Sequence, residues 1–65
     1  MNVKLRRIEL GLTQEEFSRK VNMARFRISE IEKGSYDYGN LRLREMKKIS
    51  EVLKIPINEL FFKES

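Results

Sequence analysis

Cysteine and histidine are absent from the sequence, proline occurs once and glycine three times. Without cysteine there is neither a disulfide framework nor a thiolate metal site to reinforce a small core. Without histidine as well, the usual zinc ligands and the commonest general base are both missing, and any catalysis would fall to carboxylates, lysines and hydroxyls. Glu15, Glu16, Glu30 and Glu32 lie on ordinary helical spacings with no evident cleft partner. An enzyme is therefore the least favoured class, and no metal, cofactor or small-molecule ligand is expected. Long apolar runs are missing too. No stretch approaches the roughly 20 residues that span a bilayer, and the N-terminus lacks the apolar centre of a secretory signal. No membrane partner is expected, and a cytoplasmic location is the simplest reading.

What remains is short and basic. A chain of 65 residues buries only roughly 60% of the surface it exposes when unfolded, which allows one domain over 1–65 and argues against a deep substrate pocket. Stability has to come from helix packing, helped by dimerisation. Lys and Arg number 14 against 10 Asp and Glu, a formal charge of +4 with a pI near 9.7. The excess is uneven: residues 1–33 hold eight basic and five acidic side chains, residues 34–65 six and five. Such a balance favours polyanionic partners, with the footprint mainly in the first half, although a small basic domain is also simply soluble.

The spacing of apolar residues between the glycines and Pro56 is helical throughout, so the chain reads as all-α. A first helix over about 2–10 places Val3, Leu5, Ile8 and Leu12 inward and closes at Gly11. Thr13-Gln-Glu-Glu16 fits a capping box and opens a second helix whose apolar face is Phe17 and Val21. Asn22 accepts a left-handed backbone cheaply and permits a tight turn. A third helix over about 24–33 follows, with Ile28 and Ile31 inward, and ends at Gly34. Residues 35–42 are rich in turn formers and read as a loop. The fourth helix, 43–53, offers Met46, Ile49, Val52 and Leu53 to the core, and Pro56 begins a short fifth helix bearing Ile57, Leu60 and Phe61.

Two helices joined by so short a turn cross steeply, which frees one of them to project its outer face into a groove. Across 13–34 the run T-Q-E-E-F-S-R-K-V-N-M-A-R-F-R-I-S-E-I-E-K-G closely resembles the helix-turn-helix of the phage-repressor/Cro-like (XRE-type) family. The leading T-Q-E, Phe17, Val21, Ile28-Ser29, Ile31-Glu32 and Gly34 fall at that family's spacing, and the likeness continues to I-P-I-N-E-L-F near the C-terminus. The resemblance implies a compact five-helix, lambda-repressor-like DNA-binding domain whose third helix enters the major groove while the second crosses the backbone.

By the same resemblance, Arg25, Phe26, Ser29 and Glu30 face base edges, and Arg27 meets a phosphate or the groove wall. Arg25 can donate twice to guanine, Phe26 can pack on a thymine methyl and Glu30 can accept from a cytosine amino group. The alternatives for Glu30 are repulsion of wrong sites and an ordinary helix-face charge. Phe26 lies about 200° from Ile28 at 100° per residue, which places it outward. Thr13 and Gln14, at the start of the second helix, match a phosphate-clamping position. Lys33 and the polar loop residues Ser35, Tyr36, Tyr38, Asn40 and Arg42 would follow the backbone beyond it. Arg7 and Glu32 match a pair that forms a partly buried ion pair in some relatives.

Three departures from the family stand out. Ala24 replaces the usual Ser or Thr cap, at a cost of about 1 kcal/mol, Asn22 replaces a glycine, and the loop after Gly34 is longer. A transcriptional regulator, most simply a repressor acting as a homodimer on a palindromic operator, is the reading that follows, since one recognition helix reads too few bases. Ile57, Phe61 and Phe62 crowd the C-terminal end and are candidate dimer contacts, with core packing the alternative. The rival functions are a protein-interaction module, such as an antitoxin or anti-repressor partner, that kept the fold without DNA binding, and a membrane-surface peptide built on the basic fourth helix.

Overall fold

Asn2 starts the first helix: its side-chain oxygen accepts the Leu5 N–H at 3.2 Å, the task for which a short polar side chain ahead of a helix is suited. The computed structural model describes residues 2–34 and 41–62, the side chain of Phe62 excepted. Its helices are α1 (Val3–Glu9), α2 (Gln14–Val21), α3 (Arg25–Lys33), α4 (Leu43–Leu53) and a short π-wound segment, α5 (Asn58–Phe62). No strand occurs among the described residues, so the all-α, five-helix expectation holds. Both α1 and α2 pack on α3 and α4.

Helix ends are set by local chemistry. Thr13 and Glu16 form the reciprocal capping box at α2: the Thr13 hydroxyl accepts the Glu16 N–H at 3.1 Å, and the Glu16 carboxylate accepts the Thr13 N–H at 2.9 Å. Glu45 repeats half of that arrangement at α4, accepting the Arg42 N–H at 2.9 Å. Asn22, Gly34 and Lys54 close α2, α3 and α4 with φ of 56°, 75° and 59°. The last is the unusual one, because a lysine has neither the freedom of glycine nor the short polar side chain of asparagine. Two contacts from Ser50 hold the turn that follows. Its carbonyl accepts the Lys54 N–H at 2.8 Å, and its hydroxyl donates to the Ile55 carbonyl at 2.6 Å.

Phe17, Ile28, Ile49 and Leu53 are wholly enclosed, and Val3, Val21, Ile31, Met46, Leu60 and Phe61 complete the centre. Leu41 and Ile55 also belong to it, although they lie outside every helical pattern in the sequence. The expectation for α1 needs correction. Leu5 and Ile8 stand 58% and 53% exposed, and the inward positions are Val3 and Arg7. Residues four apart differ by only about 40° on a helix, whereas Leu5 lies about 200° from Val3; once Arg7 turns inward, Leu5 and Ile8 must turn out. A polar residue took the buried stripe that their spacing had claimed.

The C-terminal apolar residues resolve in part. Phe61 is 4% exposed and sits in the core, and Ile57 is half-buried against it. Phe61 is thereby removed from the candidate dimer contacts, because a ring enclosed by its own chain has little surface left for a second one. The Phe62 side chain lies outside the described residues.

Replacing Lys54 with glycine relieves a left-handed side chain, and the domain should gain about 1 kcal/mol, read as a rise of roughly 4–8 °C in the thermal midpoint; an unchanged midpoint would show that this turn carries no strain.

Acid should act through the two capping carboxylates. The Thr13 N–H, helped by its hydroxyl, holds Glu16 below its ordinary value of 4.5. At Glu45 burial pushes upward, but the Arg42 N–H and the Arg27 guanidinium outweigh it and the net direction is again down. A carboxylate lowered by folding stabilises fully above its unfolded value, and that contribution is lost as pH falls through the folded one. Thermal midpoints should therefore hold to about pH 5 and decline below it, with a shallower decline in Glu45→Gln.

Candidate nucleic-acid interface

Three residues, Asn22, Met23 and Ala24, separate α2 from α3. The Asn22 and Met23 amides donate back to the carbonyls of Arg19 (3.3 Å) and Ser18 (3.0 Å), which closes the turn without any side chain. Phe17 and Val21 from α2 meet Ile28 and Ile31 from α3 in the core. Ala24 precedes α3 and offers no side-chain cap, so the first turn of that helix rests on packing.

The circumference of α3 divides cleanly. Measured from Arg25 at about 100° per residue, Ser29, Lys33, Phe26 and Glu30 occupy an arc of about 140°. Arg25, Phe26 and Lys33 on that arc are exposed, Phe26 by 75%, and Ser29 and Glu30 are half-buried. The opposite arc carries Ile28 and Ile31, both buried. Arg27 and Glu32 flank this apolar stripe on its two sides, and each reaches another part of the molecule.

Glu32 meets Arg7 of α1. Arg7 Nε donates to Glu32 Oε2 at 2.6 Å and Nη2 to Oε1 at 3.2 Å, with the side chains 9% and 3% exposed. Arg7 Nη1 donates to the Leu12 carbonyl at 2.7 Å, and Gln14 Nε2 donates to Glu32 Oε1 at 3.0 Å. One arginine thus ties α1, the α1–α2 connection and α3 together, and Gln14 brings in the start of α2. Among the described residues no buried side-chain polar atom lacks a partner, the condition under which a buried ion pair is tolerated.

On the other flank Arg27 Nη2 donates to Glu45 Oε1 at 3.1 Å, joining α3 to α4. Arg27 thus stands about 200° round the helix from Arg25, with its side chain 31% exposed beside Glu45. Gln14 is half-buried with one amide hydrogen directed inward to Glu32. Thr13 is exposed at the α2 N-terminus, and Arg42 is exposed ahead of α4. Tyr36 and Tyr38, with Ser35 and Asn40, lie outside the described residues.

Two positions escaped the sequence reading. Arg6 donates from Nε to the Leu53 carbonyl at 2.9 Å and anchors α1 to the end of α4. Glu45 both caps α4 and holds Arg27. A glutamate three residues after a helix-opening position was the available signal for the second; nothing in the spacing marks the first.

The polar, aromatic and basic arc of α3 faces away from the core side that carries Ile28 and Ile31, and Gln14 at the start of α2 is joined to α3 through Glu32. Two packed helices joined by a three-residue turn, the second presenting such an arc, are the pattern of the helix-turn-helix class of DNA-binding regulators. The family model described as helix-turn-helix matches residues 3–60, and this chain belongs to that family in its Cro/C1-type, XRE form. Double-stranded DNA is accordingly its partner. No protein of curated function matches it. Among the described residues no helix is long and apolar enough to cross a membrane.

Removing one side of the Arg7–Glu32 pair strands a buried charge, and Arg7→Ala or Glu32→Ala should each lose about 3–5 kcal/mol, a large part of the stability of so small a domain. Thermal or urea melts measure this, and an Arg7→Ala protein with the parental midpoint would refute the structural weight given to the pair.

Proposed function

We propose that the chain is a sequence-specific repressor that binds as a homodimer to a two-fold symmetric operator and lays the outer arc of α3 in the major groove, without catalytic chemistry of its own. The observation that supports this most is the exposure of Arg25 and Phe26 on a helix whose other side is locked into the core. An aromatic ring 75% open to water contributes little to the core, and a groove lined with thymine methyls and base edges gives it a use.

In this reading Arg25, Phe26, Ser29 and Glu30 meet bases, while Thr13, Gln14, Arg27, Lys33, Arg42 and, from the loop, Tyr36 and Tyr38 meet phosphates. Gln14 keeps a second amide hydrogen for that purpose beyond the one given to Glu32. Phosphate contacts fix register and supply most of the affinity, and base contacts supply the selectivity. Ile57 and Phe62 remain the dimer contacts. The domain is a single unit over 1–65, and its place of action is the cytoplasm.

The protein-interaction reading draws on one observation, the exposed pair Leu5 and Ile8 on α1, since adjacent apolar side chains open to water mark docking surfaces. Duplex DNA separates the two readings. With Arg25, Phe26 and Ser29 all changed to alanine, the folded domain should keep weak, salt-sensitive binding to any duplex and lose its preferred site, each base contact being worth about 1–3 kcal/mol of discrimination. Lys33→Ala should weaken all duplexes alike and lower the salt slope by about one. Retention of tight, selective binding by the triple variant in a mobility-shift titration would overturn the assignment of α3 as the reading helix.

A further inference from the structure

The glutamates of α1 to α4 mostly have structural work. Glu9 meets Arg6 at 3.2 Å and Glu15 meets Arg19 at 3.6 Å. Glu16 caps α2, Glu32 holds Arg7 and Gln14, and Glu45 holds Arg27 and the Arg42 amide. Glu30 is different. It is half-buried on the outer arc of α3, one turn beyond Phe26, and no cation or amide among the described residues meets it. Glu51 likewise meets no cation or amide among the described residues, but it is exposed on α4.

A carboxylate carried into a groove between two phosphate backbones is repelled unless a base amino group receives it. We infer that Glu30 is the residue that selects cytosine in each half-site, a step that rests on α3 reading the groove as proposed above. Only cytosine and adenine present a donor in the major groove. Beside the adenine amino group lies N7, whose lone pair opposes a carboxylate. Beside the cytosine amino group lies the apolar C5 edge, the kind of surface that Phe26 offers four residues earlier on the same face. Guanine and thymine present acceptors alone and are rejected. The rise of about 6 Å between Phe26 and Glu30 places that cytosine within about two base pairs of the base under the ring. Glu30 therefore discriminates mainly by what it excludes, and lowers affinity for DNA in general.

Selection of bound sites from random duplexes with the intact chain, Glu30→Gln and Glu30→Ala tests this. Both substitutions leave every hydrogen bond and ion pair described above in place, and helical content with the melting midpoint serves as the control of folding. The parent protein should enrich cytosine at one position per half-site, over guanine and thymine by roughly 5- to 150-fold. Glu30→Gln should move that position alone to adenine, because a carboxamide donates to N7 while accepting from N6. Glu30→Ala should lose the preference there and bind random duplex more tightly than the parent. The same base enriched to the same degree by all three proteins would overturn the role of Glu30 and leave α3 as the reading helix; no enriched site from any of them would overturn both.

Discussion

Arg7 is the residue on which the geometry of this domain turns. Its guanidinium lies in the layer between α1 and α3 and donates to Glu32 and to the Leu12 carbonyl, while Gln14 adds a further donor to the same carboxylate. Taking two charges out of water costs several kcal/mol each, and only a complete set of hydrogen bonds offsets it. Apolar side chains in the same place would hold the helices together equally well, but they could slide. A bidentate arginine–carboxylate pair fixes distance and angle at once, so the direction of α3 relative to the start of α2 is set by bond geometry.

The second clasp, Arg27 with Glu45, works from the other side of α3. Between the two clasps lies the apolar stripe of Ile28 and Ile31, buried against Phe17 and Val21. About 140° of the helix circumference remains outside these three constraints, and it is the arc bearing Arg25, Phe26, Ser29, Glu30 and Lys33. The same carboxylate that grips Arg27 also caps α4 through the Arg42 amide. Orienting α3 and starting the next helix thus meet in one carboxylate, Glu45.

Much of this architecture was legible in the sequence because it rests on local rules. Thr13 and Glu16 announce a capping box, Asn22 and Gly34 announce left-handed closures, and the spacing of Ile28 and Ile31 leaves Phe26 outside, where it is found. Long-range choices were less legible. The period of α1 is satisfied by either of two stripes, and the competition between Leu5 with Ile8 and Val3 with Arg7 is decided by a carboxylate 25 residues away in the chain. Leu41 and Ile55 are buried by the path of the chain, which no helical period encodes. Arg27 could be placed on α3 but not aimed, since its partner Glu45 lies on another helix.

The unadorned start of α3 has its own entropic meaning. Ala24 presents a methyl group where a hydroxyl would hold the first turn, and that turn carries Arg25 and Phe26, while the two clasps grip further along at Arg27 and Glu32. The first turn is therefore held by the Ile28 N–H donating to the Ala24 carbonyl at 3.1 Å and by the Arg27 clasp, with nothing added by the Ala24 side chain. A hydroxyl in place of that methyl would order the turn in advance, so the ordering entropy this turn gives up on meeting any ligand is set by a single side chain.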